Sequence, residues 1–305
     1  MVVVRGRFAP SPTGPLHLGN LRTALVAWLM ARRAGGEFIV RMEDLDRVTS
    51  SAEHEAGQLA ALSSIGLDWD GEVVRQSERF ALYRAAIDRL RSLGLVYECF
   101  CTRSEIRQSA RAPQGADVEG AYSGVCRRLT QAQRDERRAA GRSPALRLLS
   151  DGQTVAFDDL VAGPQVGRVD DVVLQRNDGV PAYNLAVVVD DAAQRVTEVV
   201  RGDDLLATTP RQIALHRLLD LPVPTYAHVP LVLAPDGSRL AKRHGAVTLD
   251  DLAARGCSAG DVCGRLAASL GIDTGGRPVM AGDLLDRFDP ELMPRVPWRL
   301  AADDL

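Results

Sequence analysis

Residues 7–20 read Arg7-Phe-Ala-Pro-Ser-Pro-Thr-Gly-Pro-Leu-His-Leu-Gly-Asn20. Before them stands an apolar run, Val2–Val4, which predicts a short buried strand. After them Leu18, Leu21, Leu25, Trp28 and Leu29 recur at helical spacing, and Gly35-Gly36 ends the run. Phe38–Arg41 predicts the next strand, so the unit is strand, helix, strand, the building block of a parallel α/β sheet. A Pro- and Gly-rich loop between a strand and a helix is where an open α/β sheet receives ligands. A helix start presents N–H groups and a positive dipole end to phosphates. Gly14 and Gly19 remove side chains where a nucleotide would come close, and His17 brings a donor to a phosphate oxygen. Neither the dinucleotide fingerprint nor the P-loop lysine motif is present.

Further along, residues 51–66 and 79–94 predict amphipathic helices, and a turn leads into Val96–Phe100. Strand-like text returns at Val172–Gln175, Ala186–Val189 and Val196–Val200. A helix fits 208–219, another strand Val229–Leu233, and the text from about 247 is helical with a short acidic tail. Between Cys99 and Arg147 the composition changes to close cysteines, many arginines, Pro and Gly, which predicts an inserted subdomain.

The whole chain has 305 residues, 46% of them hydrophobic, enough for one large domain or two modest ones. It contains no run of 18 apolar residues and no secretory signal pattern at its start, so a cytoplasmic protein without a membrane span is expected. The net charge is −3, yet residues 101–150 hold ten arginines against five acids, a basic face suited to phosphates. Of 37 basic residues only Lys242 is lysine, which singles out a position where arginine does not substitute for a compact ammonium. Five cysteines make a poor disulfide framework. Cys99, Cys101 and Cys126 fall within 28 residues and suit a structural zinc site in a loop-rich insertion, or simple burial. Cys257 and Cys263 read as core.

Pro10–Gly14 with His17–Asn20 resembles the first signature of the class I aminoacyl-tRNA synthetases. Arg7–Ser11 and Arg41-Met-Glu-Asp-Leu-Asp46 resemble its glutamyl branch, as does Arg201-Gly-Asp-Asp-Leu-Leu. Arg239-Leu-Ala-Lys-Arg243 resembles the second signature, usually Lys-Met-Ser-Lys-Ser, with Lys242 on the second lysine. Arg239, Ala241 and Arg243 depart from it, and Ala241 removes a hydroxyl donor. The implied fold is a Rossmann-type parallel sheet split by an insertion. Residues 1–98 and 151–235 form the catalytic halves, 99–150 a zinc-binding, acceptor-like insertion, and 236–305 the lysine loop and a helical C-terminal region.

The resemblance also implies roles. His17, Gly19, Asn20 and Lys242 bind ATP, with His17 and Lys242 stabilising charge in catalysis. Arg7, Phe8, Ala9, Pro10, Ser11, Glu43, Tyr183 and Arg201 bind glutamate. Chemically, Arg7 and Arg201 suit a carboxylate, Glu43 an ammonium, and Tyr183 adds a hydroxyl. Tyr122 is implied as the fourth metal ligand beside Cys99, Cys101 and Cys126; water or Glu119 are the chemical alternatives. Magnesium accompanies ATP. About 60 residues follow Lys242, and no anticodon-binding domain is expected in them. That agrees with truncated members of the branch, which esterify glutamate to the queuosine base at the wobble position of tRNA(Asp). A monomer is expected. Three alternatives stand beside this: a shortened enzyme charging a tRNA 3′ end, a catalytically silent tRNA-binding paralogue, and a ligase making a small glutamylated metabolite. Lys242→Ala is expected to abolish glutamate-dependent ATP–pyrophosphate exchange while leaving the circular dichroism spectrum unchanged; undiminished exchange would remove Lys242 from the mechanism.

Overall fold

The computed structural model describes residues 3–102, 104–106, 122, 124–240 and 247–301. The chain opens with β1 (Arg5–Phe8), α1 (Leu18–Arg33) and β2 (Glu37–Met42), and β1 pairs β2 in parallel from Arg5 opposite Glu37 to Phe8 opposite Val40. Helix α1 is capped at both backbone and side chain by His17, and it sinks Leu18, Leu21, Leu25 and Leu29 completely into the core. The return into β2 is tight. A methyl group on Gly36 would stand 2.2 Å from the Val4 carbonyl oxygen, so only glycine fits there. Then come α2 (Ala52–Ser64), β3 (Val74–Arg75), which pairs β2 in parallel, and α3 (Phe80–Ser92).

The rest of the chain supplies β4 (Val96–Cys99), α4 (Gln131–Ala139), β5 (Ala145–Leu148), β6 (Thr154–Asp159), β7 (Gly163–Arg168) and β8 (Val173–Gln175). After these run α5 (Tyr183–Ala193), β9 (Glu198–Gly202), α6 (Thr209–Leu218) and β10 (Thr225–Val229). The last described elements are β11 (Val232–Leu233), α7 (Leu249–Ala253), α8 (Ala259–Ser269) and β12 (Trp298–Arg299). The main sheet has seven strands in the order β3-β2-β1-β9-β10-β6-β7, parallel except for the β6–β7 hairpin. β1 is therefore flanked by strands 2 and 9, and the chain order diverges between β1 and β9. That is a topological switch point, where the carboxyl ends of the strands leave a crevice. A small antiparallel sheet, β4-β5-β8, stitches the insertion to both catalytic halves. Arg22 of α1 is buried and reaches the Pro230 carbonyl and Ser269 of α8, tying the C-terminal helices to the sheet; burial lowers its pKa to about 10.

Several expectations change. The first strand lies at Arg5–Phe8 rather than Val2–Val4, and Val3 is exposed. Its charged residues fit a strand because Arg5 meets Glu37 and Arg7 faces Asp191. The run Ala186–Val189 lies within helix α5, because its neighbours on both sides are buried too; a short apolar run does not distinguish strand from buried helix. The Val229–Leu233 strand divides into the end of β10 and β11. The β6–β7 hairpin was not anticipated, since its β7 strand, with alternating half-exposed residues and two glycines, carries little apolar signal. Cys263 is core as expected, whereas Cys257 is half-buried beside Arg265. Among the described residues no helix is long and apolar enough to cross a membrane.

One buried group gives stability a pH dependence. His216 on α6 is 1% exposed, and burial, partly opposed by Asp191, lowers its pKa to about 4. The unfolded chain then binds a proton at higher pH than the folded one. Stability is full above the ordinary histidine value and is lost as pH falls from about 6.5 towards 4, by at most about 3 kcal/mol. Urea denaturation of the His216→Leu variant is expected to show a loss over that interval at least about 1 kcal/mol smaller than the parent's. An identical loss would contradict this source.

Candidate active site

At the switch point lies a cavity of about 600 Å³. Its wall is made by the end of β1 (Arg7, Phe8), the loop Ala9, Pro10, Ser11, the cap of α1 (His17, Gly19, Asn20), Glu43 after β2, Tyr183 of α5 and Arg201 of β9. Arg7 and Arg201, 194 positions apart in sequence, are thus brought to one site by the parallel sheet. Lys242 lies outside the described residues, as does Glu119. Arg239, at the start of the lysine loop, lines the cavity and approaches Asp204 at 3.5 Å.

His17 is the N-cap of α1. Its Nδ1 accepts the N–H groups of Gly19 (3.1 Å) and Asn20 (3.3 Å), so the ring proton is on Nε2. Asn20 returns the bond, its Oδ1 accepting the His17 N–H at 3.2 Å. This changes the expected use of the helix start. Those N–H groups are taken by the His17 ring, and that of Leu18 by the Val247 carbonyl. What the cap presents to the cavity is therefore the imidazole rather than bare amides. Gly19 is needed for the same contact, since a methyl there would meet the His17 ring at 2.9 Å. Gln58 of α2, which sequence reading missed, holds the loop by donating to the Ser11 and Gly14 carbonyls at 3.0 and 2.7 Å.

The charged residues sit on a buried ion network. Arg41 has no exposed surface; its Nη1 donates to Asp191 at 2.7 Å and Gln194 at 2.9 Å, and its Nη2 to Glu43 at 3.3 Å. Asp191 also stands 3.6 Å from Arg7 Nε, and Arg7 Nη1 donates to the Val200 carbonyl at 2.9 Å. Beside it Asp190 accepts from Gln76, Arg79 and Tyr83. Burial alone would disfavour the Arg41 cation, but Asp191, Glu43 and Asp190 outweigh it and hold its pKa above the usual range. Burial likewise pushes Asp191 up, but Arg41 and Arg7 bring it below its ordinary value. Burial wins at Glu43, which stays above its ordinary value against the pull of Arg41 and Arg7. An ammonium arriving at Glu43 would add to the counter-charge that Arg41 and Arg7 supply and favour the carboxylate against burial. The Asp190-Asp191 pair closing an apolar helix was the available sequence signal for this network.

Arg201 is 5% exposed and held from behind: Nε donates to His228 at 3.0 Å, Nη1 to Gln212 at 2.7 Å, and Nη2 to Thr209 at 2.9 Å. Tyr183 Oη is 3.5 Å from its Nη1. His228 in turn faces Asp159, with 2.5 Å between Nδ1 and Oδ2.

A second cavity, of about 1110 Å³, shares Ser11, Glu43 and Tyr183 with the first and extends to Cys99 and Cys101. There the sulfurs of Cys99, Cys101 and Cys126 lie within 4.8 Å of one another, and Cys101 and Cys126 are 3.5 Å apart. Tetrahedral thiolate coordination needs about 3.8 Å between sulfurs, so the trio fits one metal ion. Tyr122 Oη is 3.6 Å from Cys101 Sγ and accepts the Cys126 N–H at 2.9 Å. The Phe100 N–H points at Cys126 Sγ from 3.4 Å, a bond that favours a thiolate. Burial pushes Cys101 to about 12, whereas at Cys126 the hydrogen bonds from Tyr122 and Phe100 overcome burial and lower the pKa. Elemental analysis is expected to find about one metal ion per chain, lost in Cys126→Ala. A metal-free parent protein would leave the trio as buried thiols.

A family model described as tRNA synthetases class I (E and Q), catalytic domain, matches residues 3–259. The chain is 58% identical over 300 residues to the Glutamyl-Q tRNA(Asp) synthetase of Nocardia farcinica, covering 98% of this chain and 94% of that one. It is 46% identical over 243 residues to the Glutamate--tRNA ligase of Nitratidesulfovibrio vulgaris, covering 79% and 51%. A crystal structure of a glutamate tRNA ligase from Elizabethkingia meningosepticum, in complex with its amino acid, matches with a TM-score of 0.82 at 26% identity, over 99% of this chain and 68% of that one. The chain belongs to the class I tRNA synthetases of this E and Q type.

Proposed function

We propose that this class I synthetase activates L-glutamate with ATP, without tRNA, and transfers it to the queuosine base at the wobble position of tRNA(Asp). The observation that carries the reading is the single cavity in which Arg7, Glu43, Tyr183 and Arg201 stand beside His17. The acceptor follows the 58% identical relative and its name. Arg7 and Arg201 receive the side-chain carboxylate, Tyr183 adds a hydroxyl contact, and Glu43 receives the α-ammonium. Phe8, Ala9, Pro10 and Ser11 form the floor beneath the amino acid.

The α-carboxylate then faces the α-phosphate of ATP across the His17 cap. One carboxylate oxygen forms a bond to phosphorus, the bond to the bridging oxygen breaks, and pyrophosphate leaves. His17 donates its Nε2 proton as a hydrogen bond to a phosphate oxygen, Gly19 and Asn20 line the nucleotide, and Lys242 neutralises charge developing on the phosphates. In the second step a hydroxyl of the queuosine cyclopentene ring attacks the acyl carbonyl; its proton passes to solvent and AMP leaves. No side chain forms a covalent bond. Positioning and charge neutralisation carry the rate. Magnesium bound with ATP would offset the triphosphate charge. Zinc held by Cys99, Cys101, Cys126 and Tyr122 would brace the insertion, since three thiols and a phenol oxygen already converge there. The protein works as a cytoplasmic monomer on this reading.

The test uses tRNA(Asp) in three forms: carrying queuosine, lacking queuosine, and carrying queuosine but without the 3′-terminal adenosine. The first and third are expected to accept radiolabelled glutamate and the second not. Labelling of the first and second forms but not of the third would establish 3′-end charging instead, and exchange without labelling of any tRNA would point to a small-molecule acceptor.

A further inference from the structure

Among the described residues every hydrogen bond of the Arg201 guanidinium goes to a neutral group: His228 Nε2, Gln212 Oε1, Tyr183 Oη, Thr209 Oγ1 and the Leu205 carbonyl. Neutral acceptors orient an arginine without cancelling its charge. The acid nearest along this chain of contacts is Asp159, and it is one imidazole ring away. Arg201 Nε carries a proton, so the His228 nitrogen facing it is an acceptor. The ring proton therefore sits on Nδ1 and is donated to Asp159 Oδ2. Asp159 is fixed by the backbone N–H groups of Val161 (3.0 Å), Ala162 (2.8 Å) and His228 (3.1 Å), so it cannot swing to follow the ring. The three residues come from adjacent strands, with His228 directly opposite Arg201 in the β9–β10 register and β6 beside β10. The side chains of Asp159 and His228 have no exposed surface.

We propose that His228, pinned by Asp159, is a positioning residue for amino-acid selection: it fixes the Arg201 guanidinium toward the carboxylate of glutamate and keeps that cation free of a direct acidic partner. This rests on the reading of Arg201 as a carboxylate ligand. Burial together with the neighbouring Arg201 cation keeps the imidazole neutral despite Asp159, as the acceptor role at Nε2 needs.

ATP–pyrophosphate exchange by the full-length enzyme separates this role from a structural one. In His228→Gln the amide reaches the place of Nε2 and still accepts from Arg201. In His228→Asn it reaches only the place of Nδ1 and keeps Asp159 while losing Arg201. Asp159→Asn lets the ring turn an N–H toward Arg201, the wrong tautomer. His228→Asn and Asp159→Asn are expected to raise the KM for glutamate about tenfold, and the Gln variant less than about threefold. The KM for ATP should stay within about twofold in all three. Equal losses in the Asn and Gln variants, or an ATP KM that moves in step, would show a merely structural residue and overturn the proposal. If His228→Asn does not fold, the contrast of Asp159→Asn with His228→Gln decides by the same criterion. Arg201→Ala locates any failure. If it leaves the glutamate KM unchanged, the assignment of Arg201 falls and the proposal with it; if it raises that KM while the other variants do not split, the positioning role alone is wrong.

Discussion

The buried Arg41–Asp191 ion pair is the constraint on which the site depends. Neither charge is solvated, and removing either would take from the other its shortest ion pair in the core. The pair also does more than balance itself. Arg41 extends to Glu43 and Asp191 to Arg7, so two strand ends and a helix that share no local sequence are held in one charge pattern. A hydrophobic replacement would cost less desolvation, but it would leave Arg7 and Glu43 without these charged partners. The network's value is therefore geometric: it keeps one cation and one anion of the cavity fixed before any ligand arrives.

A similar economy governs the helix cap. His17 closes α1 through Nδ1 and is left with its proton on Nε2, so the bond that starts the helix also sets the tautomer. Gly19 is glycine because the ring lies over it. Gln58 then holds the preceding loop by its carbonyls. The proposed reaction asks for placed charges and no nucleophile, and the fold supplies caps and ion pairs.

The sequence told most about residues 10–36, where helical spacing, two glycines and a Pro-rich loop agree on one reading. It told less wherever burial on all sides erases periodicity, as in Ala186–Val189 of α5, or where a strand's partners are charged, as in Arg5–Phe8. Arg7, Glu43, Tyr183 and Arg201 were found through their resemblance to one family's motifs, and the fold brings them to one cavity. The residues behind them were not found. Asp159, His228, Gln212 and Asp191 act through other side chains, from neighbouring strands and from the helices packed on them, and no local pattern announces such contacts. Lys242, singled out by composition, lies outside the described residues.

The central claim is that the protein alone, through its buried ion network, assembles a pocket selective for the glutamate carboxylate. Isothermal titration of glutamate and of glutamine into the enzyme, with no RNA present, tests it most directly. The account predicts saturable glutamate binding and glutamine binding at least about tenfold weaker, the loss of one charge-assisted contact. Equal affinity for the two amino acids, or no glutamate binding until tRNA is added, would contradict it.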